Sequence, residues 1–231
     1  MTSLEELWPP FGLSISCGPL TLRASRDDDL SQLVDVAAAG IHSDELRPFP
    51  RAWAGQQPLA LGRDLASRYW KYRAMFPSDE WALPLVVRYD GRIVGVQGAE
   101  AVRYPVLRTP DTFSWLTESV QGGGIGTLMR QAICAFFFDE LDAHAITSGA
   151  YADNPASAAV SRKVGFTANG TKLELRDNTA AEHHRFILTR ERFVRPDEPV
   201  VVDGAADMRA FMGIPRASEI SEGSPRSQQV Q

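Results

Sequence analysis

Leu20-Thr21-Leu22-Arg23 alternates apolar and polar side chains with a period of two, the pattern of a half-buried strand. The period then changes. Leu30, Leu33, Val34 and Ala37 recur at helical spacing, and Asp27-Asp28-Asp29 before them puts acids where a helix N-terminus carries partial positive charge. Leu61, Leu65, Tyr69, Tyr72 and Phe76 repeat every three or four residues and predict a helix over Leu59–Phe76 that stops at Pro77. Between the two helices, Ser43–Pro58 holds Pro48, Phe49, Pro50 and Trp53 and reads as an irregular connection suited to covering a neighbouring surface.

Two strand-like runs, Leu83–Tyr89 and Ile93–Ala101, are joined by Asp90-Gly91, a pair suited to a type I′ hairpin because both turn residues take positive φ. Asp111–Val120 predicts a further strand. It runs into Gln121-Gly122-Gly123-Gly124-Ile125-Gly126 and then into an apolar stripe of Ile125, Leu128, Met129, Ala132, Ile133 and Phe136, giving strand, glycine turn, helix. His144–Ala150 reads as the next strand, Asn154-Pro155-Ala156-Ser157 as a helix cap and first turn, and Gly165 as the end of that helix. Arg185–Thr189 predicts a late strand and Val200–Val202 an edge strand. From Ala217 to Gln231 apolar residues nearly vanish, which predicts a disordered tail.

Composition narrows the class. A chain of 231 residues with 44% hydrophobic content fits one domain with added surface elements. Acids outnumber bases 29 to 24, a net charge of -5, so the chain lacks the basic face that nucleic-acid phosphates require. Cys17 and Cys134 show no C-x-x-C spacing, as expected of reduced thiols in a cytoplasmic protein. There is no signal-peptide pattern and no 18-residue apolar run, so no membrane partner is expected. No His, Cys or Asp cluster has metal-ligand spacing, so no metal is expected either.

Three consecutive glycines opening an amphipathic helix let the backbone approach a ligand closely and leave several N–H groups without helical partners. Together with the helix dipole they make an anion site, to which Gln121 can add a side-chain donor. The competing reading is that the glycines only let strand and helix pack tightly. Spacing excludes two commoner phosphate loops. Gly126 is followed by Thr127-Leu128 rather than Lys and Ser or Thr, and G-x-G-x-x-G fails because Gly122 leads to Thr127 and Gly124 to Met129.

The remaining pattern, Q-x-x-G-x-G between a strand and a helix, resembles the GNAT superfamily of acyl-CoA-dependent N-acyltransferases. Asn154, Ser157, Val160, Lys163 and Gly165-Phe166 resemble the N-x-x-S-x-x-V-x-x-K-x-G-F pattern of its RimJ/RimL-type subgroup, and the resemblance extends over Gly18–Phe193. It implies an α/β (α+β) fold with a mixed, mostly antiparallel central sheet, flanking helices and splayed parallel fourth and fifth strands, here Asp111–Val120 and His144–Ala150. It divides the chain into an N-terminal extension (1–17), an acyltransferase domain (18–195) with a substrate-side helical insertion (43–80), a C-terminal extension (196–214) and the tail (215–231). The resemblance also implies acetyl-CoA or another acyl-CoA as co-substrate. Ser119 and Val120 would face pantetheine. Gln121, Gly122, Gly123, Gly124, Ile125, Gly126 and Thr127 would face pyrophosphate. Asn154 and Ser157 would reach the pantetheine arm, although the residues alone also read as an ordinary helix cap.

An alkyl amine is mostly protonated at neutral pH, and freeing its lone pair costs about 4 kcal/mol without a base or a desolvated site. Glu118, acting through a water, and Glu100 are the candidate bases, each equally readable as a solvated strand acid. Ser161 stands where many members of the resembled family place a tyrosine that protonates the departing thiolate, and Tyr151 is an alternative donor. Of the adjacent His183 and His184, a strand lets at most one face a cleft. Arg47, Arg51, Trp53, Arg63, Arg68 and Trp70 are candidates for a wider acyl pocket, equally readable as surface and core.

The expected reaction is transfer of an acetyl group, or a larger one such as succinyl, from CoA to a primary amine of a small molecule or protein. The alternative is a catalytically weak CoA-binding or regulatory module of the same fold. The oligomeric state is left open, a homo-oligomer included.

Overall fold

The structure, a computed structural model, describes residues 1–43 and 46–215. Its strands are β1 (Ser14–Cys17), β2 (Leu20–Ala24), β3 (Glu80–Tyr89), β4 (Arg92–Val102), β5 (Asp111–Leu116), β6 (Ala145–Tyr151), β7 (Thr167–Arg176), β8 (Thr179–Thr189) and β9 (Val201–Asp203). They form one sheet in the order β7-β8-β6-β5-β4-β3-β2-β1-β9. Among the described residues only the central β5–β6 pair is parallel. The helices are α1 (Leu4–Leu7), α2 (Leu30–Ala38), α3 (Pro58–Met75), α4 (Tyr104–Leu107), α5 (Ile125–Ala135), α6 (Pro155–Val164) and α7 (Ala205–Phe211).

Alternation along the central strands divides the core into two layers. Leu83, Leu85 and Val87 of β3 join Ile133 and Phe136 in the larger apolar cluster, on the α5 side. Val86 and Val96 join Leu33, Leu61 and Leu65 in the smaller one, under α2 and α3. A strand covered on both faces reads as a continuous apolar run, which explains Leu83–Val87. Asp90 and Gly91 both take positive φ, 48° and 75°, as the hairpin reading requires. The helix that starts at Ile125 continues as a π turn over Phe136–Glu140, burying Phe136, Phe137 and Phe138.

Several elements depart from the sequence reading. The strand expected over Asp111–Val120 ends at Leu116, and Glu118–Val120 form a 3-10 turn. The chain is pulled aside there. The Thr117 amide donates to the Val94 carbonyl at 2.9 Å, while the Thr117 hydroxyl and the Glu118 amide both donate to the Gly40 carbonyl, at 3.1 and 3.0 Å. β1 and α7 are too short to carry a clear period in the sequence, and β7 is polar and exposed along most of its length, which removes the alternation that marks a strand. The tail expected at 215–231 lies outside the described residues except for Pro215.

Candidate active site

The site begins where the sheet comes apart. β5 and β6 pair only at Asp111–Thr147 and Thr112–Ser148, after which Phe113–Leu116 and Gly149–Tyr151 diverge with no ladder between them. Just beyond the last pair, Arg130 of α5 crosses the gap from below. Its guanidinium donates to Ser148 Oγ at 2.8 Å, to Ser114 Oγ at 3.1 Å and to Gln97 Oε1 at 3.4 Å.

At the open end of this gap the glycine turn enters α5. The amides of Gly122, Gly123, Gly124, Ile125 and Gly126 find no acceptor among the described residues. Gly122 and Gly124 have φ of 79° and 90°, and a Cβ on either would meet nothing within 4 Å. The glycines therefore serve a left-handed backbone and an open concavity, and the tight-packing reading does not hold for them. An unpaired run of amides at the start of an eleven-residue helix fits a phosphate group.

Gln121 differs from expectation. Its side-chain amide donates to the carbonyls of Ile41 and Leu116, at 2.9 and 2.8 Å, so it ties the turn to the α2–α3 connection and offers no donor to an anion. The Thr127 amide is likewise engaged, by the Gly124 carbonyl at 3.0 Å. Ser119 is exposed and Val120 half-buried, both on the short turn that leads to the glycines.

α6 flanks the same opening. Asn154 Oδ1 accepts from the Ser157 amide at 3.1 Å, an N-cap, and Gly165 closes the helix at φ 104°. Ser161 is fully buried rather than on the helix surface, and its hydroxyl has no hydrogen-bond partner among the described residues.

The two candidate bases are not brought together. Glu118 lies past the end of β5, exposed, with its carboxylate against Gly40. Glu100 faces Asp111 across the β4–β5 ladder at the other end of β5, roughly 20 Å away along the strand. It is exposed at the rim of a depression of about 470 Å³ that Tyr72, Glu80 and Asp111 also line. Desolvation by the surrounding protein, and then the charges of Asp111 and Glu174, push its carboxyl above the usual range.

His183 is the histidine that faces the cleft. It lies opposite Tyr151, packed edge-on at 4.9 Å between ring centroids, and its ring lies over Gly149, next to the gap. His184 instead contacts Glu182 at 3.0 Å. The irregular α2–α3 connection covers this region. Trp53 packs against Trp115 of β5 at 5.6 Å, while Pro50 and Ala52 hydrogen-bond Asp177 at the β7–β8 turn, so the connection reaches from one lip of the gap to the other. Of the insertion residues, Trp53 is core, Arg68 lies over it and pairs with Asp64, Arg47 pairs with Asp177, and Trp70 is exposed with its indole N–H on Asp27.

Two faces result. The free amides, Arg130 and Ser161 approach the gap from the α5–α6 side. Glu100, Asp111 and His183 lie on the face that α2 and α3 cover. A family model described as acetyltransferase (GNAT) domain matches residues 19–167. The chain belongs to the GNAT acetyltransferase family. It is thus an N-acyltransferase that takes its acyl group from acyl-CoA.

Solved GNAT structures share its fold. Mycobacterium smegmatis RimJ in complex with CoA-disulfide aligns at 23% identity over 87% of this chain and 93% of that one, with a TM-score of 0.67. The acetyltransferase that modifies the N-terminal serine of ribosomal protein L7/L12 from Salmonella typhimurium aligns at 19% identity over 74% and 95%, TM-score 0.63. The microcin C7 self-immunity acetyltransferase MccE, in complex with acetyl-CoA and AMP, aligns at 18% identity over 74% and 92%, TM-score 0.60. Among the described residues of this GNAT chain no helix is long and apolar enough to cross a membrane, and no group of three His, Cys, Asp or Glu is placed to hold a metal ion.

Proposed function

We propose that this GNAT enzyme transfers an acetyl group from acetyl-CoA to a primary amine of a small molecule or protein. The observation that carries the donor assignment is the run of free amides from Gly122 to Gly126, at the mouth of a gap whose lips carry unpaired backbone. In this reading the amides hold the pyrophosphate. Ser119, Val120, Asn154 and Ser157 line the pantetheine arm, which lies between β5 and β6. The buried Ser161 hydroxyl is the partner of the thioester sulfur, a group it lacks within the protein.

The acceptor enters from the opposite face. Glu80, Glu100 and Asp111 outnumber Lys71 on the wall of that depression, a net acidic lining that favours an ammonium group over an anionic acceptor. RimJ and MccE, bound to CoA-disulfide and acetyl-CoA, support the choice of donor, and the L7/L12 enzyme supports a protein N-terminus as one acceptor class. Two free, buried thiols, Cys17 and Cys134, fit a cytoplasmic setting.

The test is thermal melting with CoA, acetyl-CoA, succinyl-CoA and NAD, using the wild type and Gly124→Glu. A ligand at 100 times its dissociation constant adds about 2.7 kcal/mol of stability. Acetyl-CoA is expected to raise Tm in the wild type and NAD to leave it unchanged. In Gly124→Glu the acetyl-CoA shift disappears, while the left-handed backbone strain costs about 1–2 kcal/mol in the free protein. A larger shift with succinyl-CoA would replace acetyl as the donor. No shift with any CoA species would end the acyltransferase reading.

A further inference from the structure

His183 has a setting that the roles above leave unused. Its ring leans from β8 across β6 toward the gap, and it can do so because residue 149 is glycine: a Cβ there would fall inside the imidazole. On the facing lip, Phe113 lies over Gly98 of β4 in the same manner, folded away from the gap. Two strand glycines thus seat the two rings that border the gap on the acceptor side.

The two ring nitrogens are treated differently. Nε2 faces Glu174 Oε2 at 3.5 Å, and Glu174 is itself paired with Lys172. Nδ1 is buried and has no hydrogen-bond partner among the described residues. Buried polar atoms are rarely left so, and one beside a substrate gap has a natural occupant. No hydrogen bond joins the two, so the carboxylate acts through its charge, which favours the tautomer with its proton on Nε2 and the Nδ1 lone pair free.

We propose that His183 is the general base of the transfer, with Nδ1 taking a proton from the acceptor amine and Glu174 as the positioning residue whose charge favours the active tautomer. The assignment rests on the acyl-transfer reading above. The acceptor arrives as an ammonium, drawn by Glu100 and Asp111. One N–H proton passes to Nδ1, giving an imidazolium beside Glu174. The freed lone pair forms the C–N bond to the thioester carbonyl carbon, and the C–S bond breaks with its electron pair on sulfur. A second proton from the nitrogen ends on that sulfur as CoA-SH, and the imidazolium returns its proton to water. The products are the amide, free CoA and one proton.

Burial holds the His183 pKa below the ordinary imidazole value, opposed chiefly by Glu174. The other charged or titratable groups facing it are Lys172 on β7, Asp111 on β5, Tyr151 on β6 and His184 on its own strand. A base must be unprotonated to act, so the acid limb of kcat/KM falls below pH of about 6.5.

The experiment measures kcat/KM against pH with acetyl-CoA and a panel of amines and N-terminal peptides, for the wild type, His183→Gln, Glu174→Gln and Gly149→Ala, with the acetyl-CoA melting shift read in parallel. His183→Gln is expected to lose on the order of 10²–10³-fold in rate, and the acid limb with it, while keeping the melting shift. Gly149→Ala, which displaces the ring, follows in the same direction. Glu174→Gln moves the limb to lower pH, because the carboxylate that raised the His183 pKa is gone. His183→Gln within threefold of the wild type, or retaining the limb, overturns the assignment and leaves acyl transfer standing. A wild type that shows the melting shift but acylates nothing on the panel overturns both.

Discussion

From inside the core, the Arg130 guanidinium donates to the Ser148 hydroxyl at 2.8 Å, and its other two bonds also end on neutral groups, Ser114 and Gln97. The side chain is 2% exposed, and burial lowers its pKa from the ordinary guanidinium value. A buried cation held only by neutral partners is an expensive brace, and this one joins the two strands that share the shortest ladder in the centre of the sheet.

Arg130→Met removes the charge along with the brace. Stranding Gln97 Oε1 and two serine hydroxyls is expected to cost about 1–3 kcal/mol, a fall in Tm of roughly 2–10 °C, with Arg130→Lys no better because an ammonium lacks the fork. Urea and thermal unfolding measure this. A methionine variant as stable as the wild type would mean that the desolvation penalty had cancelled the bracing.

Ser161 makes the opposite prediction for stability. Its hydroxyl is buried and bonds nothing in the protein, so Ser161→Ala should leave Tm unchanged or slightly higher. If the hydroxyl serves the sulfur, kcat falls by roughly tenfold, the worth of one neutral hydrogen bond. A lower Tm with unchanged kcat would make Ser161 a packing residue.

Asp139, in the π turn after α5, accepts both prongs of Arg195 at 2.8 Å and a third donor from Arg190 at 3.1 Å. These bonds, Arg195 first, hold its carboxyl below the usual aspartate range. A depressed folded-state value contributes stability that is complete above the unfolded pKa of about 4 and is lost as pH falls through the folded value. Asp139→Asn should lower Tm by about 1–3 °C at pH 7 and flatten the loss of Tm below pH 4. Melting curves from pH 3 to 7 decide it, and parallel curves for the two proteins would refute the linkage.

Much of this frame was legible from local rules. Asp90-Gly91, the glycine turn and the Asn154 cap each depend on a few adjacent residues, and the structure has them as read. What escaped depends on partners distant in sequence. Glu118 leaves the strand because Gly40, far back in the chain, captures its amide. Gln121 reads as free in the sequence because its acceptor at Ile41 lies in another segment. His183 could be narrowed to one of two, but its orientation needs Gly149 on one neighbouring strand and Glu174 on the other, and β7 had no periodicity to reveal it. The surviving signal was the glycine itself, an unexplained small residue within a strand.

The two ladder positions between β5 and β6 have a thermodynamic consequence. Glu100 belongs to the block of strands on one side of that seam and His183 to the block on the other. A donor seated along both lips would supply the rungs the chain omits and fix the spacing between these two groups. Acceptor affinity would then rise once the donor is in place, and by linkage the acceptor would tighten the donor by the same factor. The break in the sheet thus makes the two substrates bind synergistically.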